Sequence, residues 1–285
     1  MRVLCLNAWG GTLADALIPY LVSQAPDVLC LQEVVDTPAS DARWLAYRDG
    51  DLVLPQRANL FRELVDAFPD HVAGFFPAAE GVLWRDDVAV PSRFGLATLV
   101  HRSLTILSSV ETFVHKEFSQ DGFGEHPRPR NAHGVRLRDA SRDLVVSVTH
   151  VHGLRDPRGK ADTPERAAQA RRLLEASSRV SRAGDLRIVC GDFNVEPDSE
   201  TLRLFEARGF VELVTQRGFD GTRTSLYRKP GRFADYLLVD DEARVETFTV
   251  VDAPEVSDHR PLLLEVRGGP TFGGGKDNGN RPARP

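Results

Sequence analysis

Leu186-Arg187-Ile188-Val189-Cys190-Gly191-Asp192-Phe193-Asn194, continuing through Val195-Glu196-Pro197-Asp198-Ser199, is the stretch whose reading decides the fold. Its first five positions are mostly apolar and β-branched, and a Gly-Asp pair closes them, which is the pattern of a short buried strand. An extended backbone turns residues i and i+2 the same way, so Asp192 and Asn194 should point together into one cavity at the strand's end. Asp and Asn also favour turns, and in isolation the segment could be no more than that. The construction recurs, however. Leu6-Asn7-Ala8-Trp9, Leu31-Gln32-Glu33-Val34, Val148-Thr149-His150-Val151-His152 and Ser257-Asp258-His259-Arg260-Pro261 each set polar groups at the end of an apolar run, and Ala234-Asp235-Tyr236 opens one. Rigid strand ends handing side chains to one rim would produce this distribution.

Working outward, apolar runs at 2–6, 28–31, 96–100, 144–149, 186–190, 236–239 and 262–266 read as strands. Helical spacing marks 12–24, 59–68, 164–182 and 199–208; the third has Thr163 as N-cap, Pro164 at the first helical position and Glu165 against the dipole, and Gly209 ends the fourth. Some neighbouring strands (96–100 and 104–114; 132–138 and 144–150) are joined too briefly for a crossover helix. The expected fold class is therefore α/β with two mixed, mostly antiparallel sheets covered by helices, in one domain spanning 1–267. Residues 36–57 and 115–131 read as long loops, and the Gly/Pro-rich tail 268–285 as disordered.

The 285 residues are 41 % hydrophobic and 27 % charged with a net charge of −5, a globular profile that excludes collagen-like and wholly disordered chains. No apolar run approaches the roughly 20 residues of a bilayer span. The acidic balance argues against broad polyanion binding and leaves room for a local basic cleft. Cys5, Cys30 and Cys190 each lie inside an apolar run and read as reduced core residues. Without a leader pattern, the expected location is cytoplasmic.

The polar strand ends together supply carboxylates, amides and imidazole with no thiolate, an inventory that suits Mg²⁺ or Mn²⁺ better than structural zinc. Between 128 and 142, Arg128, Arg130, Arg136, Arg138 and Arg142 face a single acid, Asp139. Arg130 and Asn131 enter a strand from a long loop and are candidate substrate contacts. Arg136 and Arg138 read as a solvated strand face. His152 shares a strand face with His150 and is a further candidate for substrate. Trp9 and Trp84 read as packing residues.

In order along the chain, LNAWGG (6–11), LCLQEV (29–34), VTHVHG (148–153), GDFNVEPDS (191–199), ADYLLVD (234–240) and VSDHRPL (256–262) resemble the motifs of the endonuclease/exonuclease/phosphatase superfamily of Mg²⁺-dependent phosphoesterases. The resemblance implies a four-layered α/β sandwich, two sheets face to face with helices outside. It implies Glu33 as the principal Mg²⁺ ligand with Asn7 beside it, and Asp258 in contact with metal or its water. Asp192 would align or deprotonate the attacking water and Asn194 would bind water or phosphate. His259 would contact phosphoryl oxygens, with Asp235 fixing its tautomer. His150 matches the position where the DNase and sphingomyelinase branches carry His and the AP-endonuclease branch Tyr, and would donate to a phosphate oxygen or protonate the leaving group.

Departures bear on substrate. Arg232-Phe233-Ala234-Asp235 has one residue more than the AP-endonuclease pattern, the inositol-phosphatase Cys-Asp-Arg signature is missing, and no hydrophobic anchor points to a membrane lipid. The expected activity is metal-assisted hydrolysis of a phosphodiester in nucleic acid (DNA or RNA) or a nucleotide-like molecule, without a membrane anchor or obligate protein partner. The alternatives are a small-molecule or lipid-headgroup phosphatase, or a catalytically silent binding module.

Overall fold

Strand β1 (Arg2–Asn7) shows how the layers form: Val3 and Cys5 turn inward between two sheets, while Leu4 and Leu6 turn outward under helix α1 (Ala14–Gln24). The same alternation governs β2 (Val28–Asp36), which lies parallel to β1 with Cys30 inward and Leu29 and Leu31 outward. Helix α2 (Leu60–Ala67) adds Leu60 and Leu64 to that outer cluster. This is a computed structural model, which describes residues 1–120, 122–123, 126–156 and 159–268. The expected disordered tail, apart from Gly268, lies outside the described residues.

The first sheet has eight strands in the order β13 (Val245–Val250), β14 (Leu262–Val266), β1, β2, β6 (Val88–His101), β5 (His71–Arg85), β3 (Trp44–Asp49), β4 (Leu52–Arg57). The second has six: β11 (Val211–Glu212), β12 (Asp235–Val239), β10 (Leu186–Asp192), β9 (Leu144–His152), β8 (Arg130–Asp139), β7 (Thr105–His115). Helix α3 (Pro164–Val180) joins β9 to the parallel β10, and α4 (Glu200–Glu206) and α5 (Leu213–Gln216) lie near β11 and β12. Apolar inner faces of the two sheets share one core, and the result is a four-layer α/β sandwich. No helix among the described residues is long and apolar enough to cross a membrane.

The Thr163 cap forms as expected, its hydroxyl accepting from Arg166 N at 3.2 Å. Part of the expected loop 36–57 is instead the hairpin β3–β4, with Leu45 buried beside Val35 and Leu83. Its Pro55 sits on the edge strand, where the missing N–H costs no ladder bond. The three cysteines meet between the sheets: Cys5 and Cys30 are register partners, and Cys190 belongs to the same core cluster. All three are free and buried.

Each sheet contains one parallel pair connected through a helix, β1–α1–β2 and β9–α3–β10. Parallel strands end at the same edge. Asn7 and Glu33 therefore come to the rim of one sheet, while His152 and Asp192, which are register partners, come to the facing rim of the other. Asp235, opposite Asp192 across β10–β12, joins them.

Candidate active site

Asp192 is the hub of this rim. Its Oδ2 accepts from Asn7 Nδ2 at 3.0 Å and its Oδ1 from Asn194 N at 3.0 Å. Glu33 reaches the same space through a bulge. The β2–β6 register shifts between Leu31 and Val34, and Glu33 takes a left-handed φ of 54°. Bulges re-aim side chains, and here a residue that strict alternation would send under the helices turns into the cleft. Its carboxylate lies 3.3 Å from His152 Nε2. Ligand atoms of Glu33, His152 and Asp192 all fall within 4.8 Å of one another, as do those of Asp192, Asp235 and His259. Burial pushes the Glu33 carboxyl up, but the His152 hydrogen bond, the charges of His152 and His259 and the Asn7 amide outweigh it and hold the group well below its ordinary range. Asp192 is lowered in the same way, burial being overcome by His259, Arg223 and His152. Both are carboxylates at neutral pH.

His259 is held from several sides. Its Nδ1 donates to Asp235 at 2.8 Å, and its Nε2 faces Asp192 Oδ2 at 3.8 Å and Asp258 Oδ1 at 3.7 Å. Burial and Arg223 lower the imidazole's affinity for a proton, while Asp235 and Asp258 raise it, and the net is upward. With Nδ1–H committed to Asp235, Nε2 is the nitrogen left to accept from Arg223 or, once protonated, to donate to an oxyanion. Burial raises the Asp258 carboxyl against the pull of His259 and Arg223. Asp258 Oδ2 takes Arg223 Nη1 at 3.0 Å, and its buried Oδ1 has no hydrogen-bond partner among the described residues.

Asn194 also has a left-handed backbone (φ 53°) and hangs its Nδ2 on Gly153 O at 3.4 Å. Arg130, 4 % exposed, donates Nε to Gly153 O at 2.9 Å, and burial lowers it to about 10 against the attraction of Glu33 and Asp192. Its Nη2 has no hydrogen-bond partner among the described residues. Asn131 sits deeper, Nδ2 on Phe76 O at 2.9 Å, with a buried Oδ1 that has no hydrogen-bond partner among the described residues.

His150 is not part of the cluster, and the role implied for it needs correcting. Its Nε2 is 2.8 Å from Thr98 Oγ1 and its Nδ1 3.1 Å from Gln32 Nε2, so neither nitrogen is free for a phosphate. Burial, with a smaller push from His133, drives it well below the usual histidine range and keeps it neutral. His152, one step nearer the rim, is the imidazole that reaches Glu33.

The donor set fits a divalent cation. Glu33 and Asp192 offer hard oxygens at one point with His152 beside them, Asn7 lies next to them with its Nδ2 on Asp192, and Asp258 Oδ1, without a hydrogen-bond partner among the described residues, is an orphan that a cation or its water would satisfy. Two carboxylates held ionised among buried imidazoles and an arginine can hold a cation, orient a water and receive its proton.

The family model described as the endonuclease/exonuclease/phosphatase family matches residues 4–259. The chain belongs to that family. No curated protein matches it in sequence. Among solved structures it is similar to the Bacteroides thetaiotaomicron mannosyl-6-phosphatase (TM-score 0.65, 13 % identity, 93 % of this chain and 99 % of that one). It is also similar to the human Nocturnin catalytic domain with bound sulfate anion (0.64, 18 %, 93 % and 93 %) and to humanized D. rerio TDP2 (0.57, 15 %, 93 % and 97 %). At these identities the likeness establishes the endonuclease/exonuclease/phosphatase fold. Members of the family are hydrolases of phosphoester bonds, phosphatases and nucleases among them.

Within that fold, sequence reasoning missed three supports. Arg166 donates through Nη2 to Gly159 O at 2.9 Å and Asn194 O at 3.3 Å, and Gln169 Oε1 accepts from Leu154 N at 2.7 Å. Both sit one turn apart on α3 and tie the loop after β9 to the Asn194 turn; an Arg and a Gln three apart on the buried face of a helix were the available signal. Arg223 lies in irregular chain between α5 and β12, with no flanking apolar run to mark it. It meets the site only in space, through an antiparallel bridge between Arg223 and His259.

Proposed function

We propose that the protein is a Mg²⁺-dependent phosphoesterase (Mn²⁺ as substitute) that hydrolyses a phosphodiester, in DNA, RNA or a nucleotide-like molecule, by in-line attack of water. The observation that carries the reading is Asp192, held ionised between Asn7 and His259 while facing Glu33. Glu33 and Asn7 would hold the cation, with Asp258 through a water. The ion, when bound, supplies Lewis acidity at the phosphoryl oxygens. Asp192 orients the attacking water and takes its proton. His259, braced by Asp235, donates to the phosphoryl oxygens as their charge grows, joined by the amide of Asn194 and Nη2 of Arg130, while His152 holds Glu33 in place through Nε2. Fixed donors aimed at a growing oxyanion contribute most where water is thin, and His259, Asp192 and His152 are each at most 3 % exposed. A reducing, cytoplasmic setting belongs to the same proposal and is supported by the free thiols.

The test is hydrolysis of bis-p-nitrophenyl phosphate and of DNA with Mg²⁺ or Mn²⁺. Glu33→Ala and Asp192→Ala should each reduce kcat/KM on the order of a hundredfold or more, with EDTA abolishing wild-type turnover. Undiminished activity in either variant would overturn the assignment.

A further inference from the structure

Beside His259 the surface opens into a cavity of about 360 Å³ whose lining includes Arg223, Tyr227, Lys229, Arg232 and Arg260, with one acid, Glu255. That volume is about a dozen waters' share of liquid, enough for a phosphoryl group with part of what it is attached to. Arg223 belongs to both places: one guanidinium nitrogen touches His259 and Asp258, and its plane lies 4.1 Å from the Tyr227 ring centroid. Its buried Nε has no hydrogen-bond partner among the described residues.

The charges of this cavity are only partly neutralised by the protein: Arg223 pairs with Asp258. Glu255 is occupied by Ser225, accepting from its N and Oγ at 2.7 Å each. Arg260 is paired with the exposed Asp252 at 2.8 Å. Lys229 and Arg232 have no ion-pair partner among the described residues. Arg155, some burial and Arg223 together lower the Lys229 ammonium, the mark of cations crowded without a counter-charge. Burial and Arg223 lower Lys160 as well, although Glu196 at 4.0 Å, with Asp192 and Asp235, pulls the other way. In a chain of net charge −5, cations gathered around one hollow next to an acidic cluster cost mutual repulsion that a bound anion would relieve. A solvated charged face would spread such residues over a convex surface; here they share a concave one.

We propose that this cavity is an accessory subsite for a second phosphate of the substrate, so that the favoured substrates carry another phosphate close to the scissile ester. The inference rests on the phosphoesterase reading and names its substrate class. Lys229 and Arg232 contact that second phosphate, and Arg223 spans the two phosphate positions. Guanidinium and ammonium groups bind phosphate through charge-assisted hydrogen bonds, so the contribution appears in KM and weakens with salt.

The experiment compares p-nitrophenyl phosphodiesters of thymidine, at the 3′ or the 5′ position, with the opposite position bearing either a hydroxyl or a phosphate. Wild-type protein should favour the phosphorylated member of one pair by about 10- to 100-fold in kcat/KM, mostly through KM. The Lys229→Met/Arg232→Met variant should lose that preference while keeping its rate on the hydroxyl-ended ester within about twofold. Calorimetry with inorganic pyrophosphate, on the full chain without added metal, should show binding weakened at least tenfold in the same variant. Hydrolysis without preference in either pair, or a preference that the variant retains, overturns the subsite and leaves the phosphoesterase standing. Variant-sensitive pyrophosphate binding by a protein that hydrolyses neither ester overturns the phosphoesterase reading and leaves the subsite standing.

Discussion

His150 and His152 lie two residues apart on one strand, face the same inter-sheet space, and do opposite things. His152 sits at the rim, its Nε2 on Glu33, near Asp258, whose buried Oδ1 has no hydrogen-bond partner among the described residues. His150 sits one step deeper, in a neutral layer made of Gln32, Thr98, His133 and the three cysteines. There Gln32 Nε2 reaches the Cys5 sulfur at 3.5 Å, and Thr98 Oγ1 bridges the two imidazoles at 2.8 Å each. Burial lowers His133 to about 4 and His150 with it, so no charge is stored in that layer. The contrast teaches that chemistry is assigned by depth: the rim keeps charges with open valences, and the layer beneath closes every valence it can within the protein and holds the rim in place.

The largest expected effect separates the two in stability. His150→Ala strips a partner from both Gln32 and Thr98 in a dry layer and leaves a cavity, so it should cost about 3 kcal/mol in urea unfolding while kcat/KM per folded molecule changes less than threefold. A hundredfold loss of activity with stability intact would erase the distinction. His152→Ala should do the reverse, lowering kcat/KM about 30-fold, equivalent to about 2 kcal/mol of transition-state stabilisation, with less than 1 kcal/mol lost in unfolding.

The smallest effect sharpens the comparison with a carboxylate at the other end of β10. Asp185, like Asp192, is buried, but Arg136 grips it twice, at 2.8 and 2.9 Å, and Arg182 N donates at 2.6 Å. Burial raises its carboxyl, and these donors more than reverse that, leaving it lowered. A lowered carboxyl contributes stability in full above its unfolded value near pH 4, and that contribution fades as pH falls through the folded value. Asp185→Asn should therefore cost about 1 kcal/mol at neutral pH, converge with wild type in acid, and leave activity unchanged.

Much of this was legible in the sequence because the rim is written as polar residues at the tips of apolar runs: Asn7, His152, Asp192, Asp235 and His259 all converge as that pattern implies. The Thr163-Pro164-Glu165 start of α3 was equally plain. Hairpin β3–β4 was not, because Pro55 inside the run masks an edge strand that needs few ladder bonds. Glu33 shows why position along a strand is insufficient. Leu31 faces α1, so strict alternation puts Glu33 on the helix side, and only the bulge, a property of pairing with β6, turns it into the cleft. His150 and His152 share a face by alternation, but depth depends on how the two sheets stack, which no single strand records. Arg223 comes from irregular chain and acquires its meaning only by meeting His259.

The central claim is that Glu33, Asp192 and their neighbours form one cation-binding point. Titrating the protein with Mn²⁺ and following free ion by electron paramagnetic resonance tests it without reference to any substrate. The account predicts a saturable Mn²⁺ site in the wild type and at least tenfold weaker binding in Glu33→Gln, with the fold unchanged by circular dichroism. Equal Mn²⁺ affinity in the two proteins, or no saturable binding in the wild type, would contradict it.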